Sequence, residues 1–357
     1  MTLDRAPVRI ANIGAGFWAA ANHLPQLRGR QDVKLVSVCG LPGSQLDAVG
    51  REFGFDLVTS NVDEALDAGV DAVVVTSPNS FHYEHAVKAL ERGMHLLIEK
   101  PLGVTAEQAW DLVTLAERTG VHALVPYGWN YKRFTEYAFD ALAQGTLGTV
   151  ESFVCQMASP TIDLFEGRGD YGSTVVSGIE TRAGAGTWAD PSRGGGYGFG
   201  QLTHALGLLF WLVDLDPASV YGQVRRSGTD ADVVDAAVLT LSNGAVGTVT
   251  GNARLPAGCG FQLDIRIFGD RGVLFLDVER ERCEIHLRSG ESMVYPCAPG
   301  DGAYECVEPV HRFVDLITGQ GVRNQSPLAC AARAVTVVDG LLTSDATGSP
   351  VSLRGAK

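Results

Sequence analysis

Apolar residues along the first third of the chain fall in short blocks, separated by segments with a helical period. The blocks at 8–13, 33–39 (VKLVSVC), 57–59, 71–76 (DAVVVT), 95–98 and 121–125 predict six strands. The segments 18–28, 44–53, 62–68, 81–92 and 106–118 predict the helices between them. Ser44 can cap the second helix, and Gly93 stops the fourth. Blocks that are apolar throughout, rather than alternating, suit strands covered on both faces. Strand and helix in regular alternation give right-handed βαβ units. Six such strands predict a doubly wound parallel sheet, a Rossmann domain over residues 1–127.

After residue 127 the rhythm changes. A helix is predicted at 134–143, ending near Gly145. Strand patterns come next at 150–157, 218–226, 232–241, 245–253, 261–268, 272–277 and 282–287. Turn signals such as Ser242-Asn243-Gly244 and Gly269-Asp270 separate neighbours, as hairpins require. Residues 128–357 therefore read as an α+β domain with a large, mostly antiparallel open sheet. One face of the sheet would lie under helices and the other against a partner subunit. The segment 328–344 is Ala/Val-rich and helical, a core packing element. Residues 159–200 contain eleven glycines between 167 and 200 and read as one long functional loop.

Composition narrows the function. A chain of 357 residues suits two domains. Lys plus Arg is 28 against 41 Asp plus Glu, a formal net charge of −13. That balance excludes a general nucleic-acid binder, which needs a basic face for phosphates, and a protein docked on anionic lipid. The longest apolar run, 206–213, falls well short of the ~20 residues of a membrane span. Residues 1–9 lack the apolar stretch of a signal peptide, which predicts a cytoplasmic protein. Seven cysteines at 39, 155, 259, 283, 297, 306 and 330 form no C-x-x-C and no zinc spacing, and read as reduced thiols.

The candidate chemistry begins after the first strand. Gly14-Ala15-Gly16-Phe17-Trp18-Ala19 is a G-x-G-x-x-A loop opening the first helix. Its first glycine permits the turn. The second lets backbone approach a pyrophosphate, and the small Ala19 lets helix and strand pack. The helix N-terminus offers N–H groups to the anion. The acidic residue usual about 20 positions later, at the end of the second strand, is missing. The sequence there is Cys39-Gly40-Leu41-Pro42-Gly43-Ser44, with neither a carboxylate for ribose hydroxyls nor an arginine for a 2′-phosphate. NAD is the weakly preferred cofactor over NADP, since an unpaired phosphate is the costlier mismatch.

At the end of the fifth strand stands Glu99-Lys100-Pro101. Ser77-Pro78-Asn79, then His82 and His85, come after the fourth strand. A lysine at the carboxyl edge of a parallel sheet faces the crevice where ligands bind. The glycine loop, SPNSFHYEH, HLLIEKPLG, the join AQGTLGTV at 143–150 and Gly194-Gly195-Gly196 seven residues or more before Thr203-His204 together resemble the glucose–fructose oxidoreductase / inositol dehydrogenase / MocA (Gfo/Idh/MocA) family. The resemblance implies a nicotinamide cofactor and hydride transfer at a carbinol of a sugar or cyclitol. It also implies a homodimer or homotetramer built through the open sheet. It implies that Lys100 holds the reacting hydroxyl and that His204 completes the site. Four residues before His204 the family usually has Asp; this chain has Gly200.

Lys100 can polarise the hydroxyl and His204 has a side chain suited to acid–base work. The bland reading of His204 is a buried histidine on an apolar helix. Asp163, Asp190 or Tyr197 could replace the lost carboxylate. Asn130 and Tyr131, within WNYKR at 129–133, read either as a cleft wall or as a domain joint, and Gln201 lies near His204 in sequence. Tyr171, Trp188 and Tyr197 could stack on a sugar ring or anchor their own loop. Gly40, Ser77, Pro78, Asn79, His82 and Glu99 complete the expected cofactor crevice, with Phe17 and Trp18 shaping it. His82 and His85 form H-x-E-H without a third ligand, so no metal is expected. The reading is an NAD(P)-dependent oxidoreductase of a sugar, cyclitol or glycoside. Its rivals are an enzyme that recycles a tightly bound NAD to hydrolyse or epimerise glycosides, and a cofactor-sensing regulator.

Overall fold

Six short strands, β1 (Val8–Ile13), β2 (Val33–Cys39), β3 (Leu57–Thr59), β4 (Ala72–Val75), β5 (His95–Ile98) and β6 (Ala123–Leu124), lie parallel in the order β3-β2-β1-β4-β5-β6. The structure is a computed structural model describing residues 6–184 and 186–353. All four residues of β4 are buried, which is why this block is apolar throughout. Helices Ser44–Phe53, Val62–Leu66, His82–Glu91 and Ala106–Thr119 cross between the strands. Asn61 and Thr105 cap two of them by accepting backbone N–H bonds, and Gly54 and Gly120 end two in the left-handed region. The strand order reverses between β1 and β4, where such sheets bind ligands.

The first helix differs from its expected regular course. Residues Ala19–His23 form a π-turn that continues into the α-helix Leu24–Arg28. One extra residue in a turn rotates the rest of the helix by about 100°.

The second sheet has nine strands: β7 (Val150–Ala158), then, after the hairpin described below, β10 (Pro217–Arg226), β11 (Asp232–Leu241), β12 (Val246–Asn252), β13 (Gln262–Gly269), β14 (Gly272–Asp277), β15 (Arg282–Leu287), β16 (Ser292–Val294) and β17 (Val351–Ser352). Their order is β16-β15-β14-β13-β7-β12-β11-β10-β17, antiparallel except for the parallel pair β7–β12. β12, β13 and β14 alternate buried and more exposed residues. Helices Arg133–Ala143, Thr203–Val213 and Leu328–Thr347 pack on the buried face. Tyr221, Val238, Val246 and Phe268 stand exposed.

Two segments tie the halves together. Residues 170–184, expected as loop, form a hairpin of β8 (Asp170–Val176) and β9 (Ile179–Gly184). Its turn residues Ser177 and Gly178 both have positive φ, the geometry of a tight two-residue hairpin. Val176 is buried in the core of the first domain, and Ser177 Oγ donates to Glu52 Oε2 at 2.8 Å. The helix Val307–Ile317 likewise returns to the first domain, where Val310, Phe313 and Val314 join Leu24 and Leu27. Arg30 secures it through Asp315 at 2.7 Å.

Candidate active site at the interdomain crevice

The glycine loop shows why it needs its glycines. Gly14 has φ +113°, and a Cβ there would stand 2.5 Å from the Thr76 carbonyl carbon. Asn12 Nδ2 and Thr76 Oγ1 donate to Gly14 O at 2.7 and 2.8 Å, pinning the loop to β4. A Cβ on Gly16 would meet nothing within 4 Å, so the space above the loop is open to a ligand. Gly40 approaches Ala15 closely, and Ala19 is fully buried. The loop thus fits a pyrophosphate held by backbone N–H groups. At the end of β2 no charged side chain comes next, and Leu41 is 90% exposed.

Glu99 and Lys100 meet the two halves of the molecule with opposite electrostatics. Glu99 Oε1 accepts from Trp18 Nε1 at 2.7 Å and from His23 Nε2 at 2.6 Å. Burial pushes this carboxyl up, but the His23 bond and the Lys100 charge outweigh it, and the net shift is downward. Glu99 is therefore a buried carboxylate. Lys100 Nζ donates to Gly200 O at 2.7 Å and sits 4.6 Å from the centroid of the Trp188 ring. Burial, opposed by Glu99, lowers its pKa to about 8. The Gly200 carbonyl reaches it from a second π-turn, Gly198–Leu202, which leads into the helix Thr203–Val213. His204 on that helix is ringed edge-on by Tyr127, Trp129 and Tyr304 at 5.7, 5.7 and 5.2 Å. Burial first, and the Lys100 charge second, hold its pKa well below the usual histidine value, so the ring is neutral. Its Nδ1 is buried without a hydrogen-bond partner.

Residues 8–127 match the oxidoreductase family with an NAD-binding Rossmann fold, and residues 135–275 match the GFO/IDH/MocA C-terminal domain. The chain belongs to the Gfo/Idh/MocA family. It is 35% identical over 149 residues to the D-glucoside 3-dehydrogenase of Escherichia coli, 42% of each chain. It is 32% identical over 144 residues to the glucose-6-phosphate 3-dehydrogenase of Bacillus subtilis, 40% of each. The matched stretches thus span well under half of these relatives. In fold it resembles levoglucosan dehydrogenase in complex with NADH, with a TM-score of 0.75 at 18% identity over 98% of this chain and 100% of the other. An oxidoreductase domain protein from Kribbella flavida aligns with a TM-score of 0.79 at 19% identity over 98% and 100%.

Within this Gfo/Idh/MocA site Gly200 is not simply an empty position. A Cβ there would stand 2.9 Å from Phe165 and 3.2 Å from Trp188, so two aromatic rings fill the space. Neither Asp163 nor Asp190 takes the role of a carboxylate at Lys100: Asp163 pairs with Arg168, and Asp190 caps the turn Pro191–Arg193 and faces Arg193. Tyr197 is fully buried with its ring against Phe165 and its hydroxyl at Ser159. Tyr131 is buried with its hydroxyl 2.6 Å from Ser326, and Asn130 Nδ2 donates to Gln325 O, so both brace the domain joint. Gln201 is buried with Nε2 unpartnered.

Several cofactor-side residues serve the frame. Trp18 holds Glu99 through its indole N–H. Phe17 lies beneath the hairpin, where a Cβ on Gly172 would stand 3.0 Å from its ring. Asn79 Nδ2 donates to Gly194 O at 2.9 Å, joining the domains. His82 is buried with its ring nitrogens 2.7 Å from Pro101 O and Ser77 O, tying the Ser77-Pro78 turn to the cis Lys100–Pro101 turn. Tyr171 lies outside the residues whose side chains are described. Among the described residues no cluster of three His, Cys, Asp or Glu side chains is placed to hold a metal, and no helix is long and apolar enough to cross a membrane.

Sequence reasoning missed His23, Phe165, Tyr304 and a buried acidic pair. Asp232 and Asp235 both face inward because the β10–β11 register slips between Arg225 and Arg226, leaving Val233 as an extra residue on β11. Asp232 Oδ2 accepts the Gly198 N–H at 2.6 Å, at the start of the second π-turn. A Cβ on Gly196 would strike Asp232 at 2.0 Å, so the Gly-rich segment folds against this carboxyl. Burial pushes both carboxyls up, and Asp232 pushes Asp235 further. The signal available was the i, i+3 spacing of two acids in an otherwise apolar strand.

Proposed function

We propose that the chain is an NAD-dependent dehydrogenase acting on a hydroxyl of a sugar, cyclitol or glycoside, with Lys100 as the proton acceptor. The observation that carries this is a buried amine with a pKa of about 8, held at the carboxyl edge of the parallel sheet by one carbonyl and one ring face. When bound, the nicotinamide supplies the acceptor for the hydride leaving the carbinol carbon. Neutral Lys100 takes the hydroxyl proton at Nζ as the C–H bond breaks. The resulting ammonium is stabilised by Gly200 O and the Trp188 face. His204, neutral and fixed by three rings, holds the substrate oxygen by a hydrogen bond rather than acting as base.

The glycine loop, Gly40 and the uncharged end of β2 favour NAD over NADP, since nothing there would pair with a 2′-phosphate. The exposed apolar residues of the nine-stranded sheet support a homodimer or homotetramer, and a cytoplasmic location fits the composition. A second reading has one observation in its favour: the β8–β9 hairpin lies against Phe17 of the glycine loop. A hairpin so placed would slow cofactor exchange and suit an enzyme that recycles bound NAD. A native mass spectrum of the purified protein separates the two, since retained NAD supports recycling and an empty chain supports an exchangeable cosubstrate.

The test of the main reading is NADH formation from a panel of sugars and inositols. Lys100→Ala should lower turnover by about 100- to 10,000-fold while NAD binding, measured by calorimetry, stays intact. Unchanged turnover would remove Lys100 from the mechanism. The pH profile is a separate check. Oxidation needs the neutral amine, so its rate should climb through pH about 8 and level off above it, with reduction falling over the same range. An oxidation rate flat on both sides of that pKa would contradict the assignment.

A further inference from the structure

Around His204 the crevice is walled by rings rather than charges. Tyr304 and Phe261 are only half buried, and both pack on Trp129, at 4.7 and 6.0 Å between centroids. His204 stands edge-on to Trp129 and Tyr304, at 5.7 and 5.2 Å, while Trp188 faces Lys100 Nζ at 4.6 Å. The linked rings of Phe261, Trp129 and Tyr304 offer more aromatic face than one pyranose ring covers. On the turn and helix that carry His204, two neutral hydrogen-bonding atoms, Gln201 Nε2 and His204 Nδ1, are buried without partners, which is costly unless a ligand satisfies them. Sugar hydroxyls do so without bringing charge.

Charge argues in the same direction. Among the described residues Lys100 is the charged group that acts on His204. Lys132, the cation three residues beyond Trp129, is engaged by Glu305 at 2.9 Å. A phosphorylated sugar would find Lys100 as its partner. A dianion there would hold the amine protonated, the form that cannot accept the hydroxyl proton.

We propose that the substrate is an uncharged glycoside with an apolar aglycone, its sugar hydroxyls on Gln201 and His204 and its aglycone on Tyr304 and Phe261. The proposal rests on the dehydrogenase reading above and narrows it. It also separates this chain's chemistry from that of a phosphosugar.

The test uses the full chain with NAD and four probes: glucose, methyl glucoside, phenyl glucoside and glucose 6-phosphate. NADH formation and quenching of tryptophan fluorescence are read together. The expected order is phenyl glucoside above methyl glucoside by about tenfold in kcat/KM or in affinity, a gain of one or two aromatic contacts, with glucose 6-phosphate at least ~100-fold below. Tyr304→Leu should collapse the phenyl-to-methyl ratio through KM, and Phe261→Ala should do so independently should the first variant fold poorly. Equal use of all four probes, or preference for the phosphate, overturns the proposal and leaves the dehydrogenase reading standing. The expected order in binding without any NADH overturns the dehydrogenase reading and keeps the ligand class. No binding and no NADH overturns both.

Discussion

Two helices enter the crevice through a π-turn, and they deliver different things. The turn Ala19–His23 brings a side chain, His23, onto Glu99. The turn Gly198–Leu202 brings a backbone carbonyl, that of Gly200, onto Lys100. Glu99 and Lys100 are neighbours in sequence, yet the two turns give them different fates. His23, the Lys100 charge and the Trp18 N–H keep the acid charged against burial, whereas burial beside a single neutral carbonyl and a ring face leaves the base close to losing its proton. An acid locked in its charged form is structural. A base held near neutrality is the proton acceptor that the proposed reaction needs. On that proposal, the same backbone irregularity builds the frame on one side and serves the chemistry on the other.

The first turn should be the harder one to lose. His23→Leu keeps the volume but removes a donor from a buried carboxylate, at a cost of about 1.5–3 kcal/mol. Burial would then dominate at Glu99, raising its pKa, and the charge that supports Lys100 would weaken. Urea denaturation should show the full loss of stability, together with a fall in turnover. A midpoint that does not move would mean that Trp18 alone suffices.

The second turn can be tested by returning the carboxylate the family usually carries. Gly200→Asp places a Cβ against Phe165 and Trp188, which overpacking should penalise by about 1–3 kcal/mol. A carboxylate beside Lys100 would also raise the amine's pKa. The midpoint of the oxidation pH profile should therefore rise from about 8 as stability falls. Adding Phe165→Ala should relieve the clash and leave the pH shift in place. A midpoint unchanged in both variants would show that the new carboxylate does not reach the amine.

These positions explain what the sequence made legible. The parallel strands announced themselves because burial on both faces leaves few polar positions, none at all in β4, and Gly14 and Lys100 because a loop and a sheet edge allow few residues. Seven strands of the nine-stranded sheet were readable from alternation, to within one residue at their ends, whereas the short edge strands β16 and β17, three and two residues long, carry no alternation to read. The hairpin at 170–184 was hidden by glycine content, although Ser177-Gly178 was its turn signal. His23 was hidden because a π-turn breaks the helical period by one residue and leaves no compositional mark. Gly200 read as a loss because the rings that fill its place come from Phe165 and Trp188, distant in sequence. The acids of β11 were hidden by a bulge that only strand register reveals.

Those acids carry the smallest expected effect, and it has a definite sign. Asp235 is pushed well above the ordinary aspartate value of 3.8 by burial and by Asp232. The folded state then binds more protons than the unfolded one between 3.8 and the raised pKa. Stability from this group is fully present below 3.8 and is lost as pH rises through the folded value. Asp235→Asn removes the repulsion and leaves Asp232 to hold the Gly198 N–H. The variant should match the native chain in acid and exceed it increasingly toward neutral pH, by about 1 kcal/mol, a typical size for a single substitution. Its turnover should change little, because the second π-turn keeps its anchor. Denaturation curves in mild acid and in mild base decide the matter: a variant less stable in both would show that Asp235 supports the turn directly, through packing against Tyr197 and Gly251 rather than through its charge.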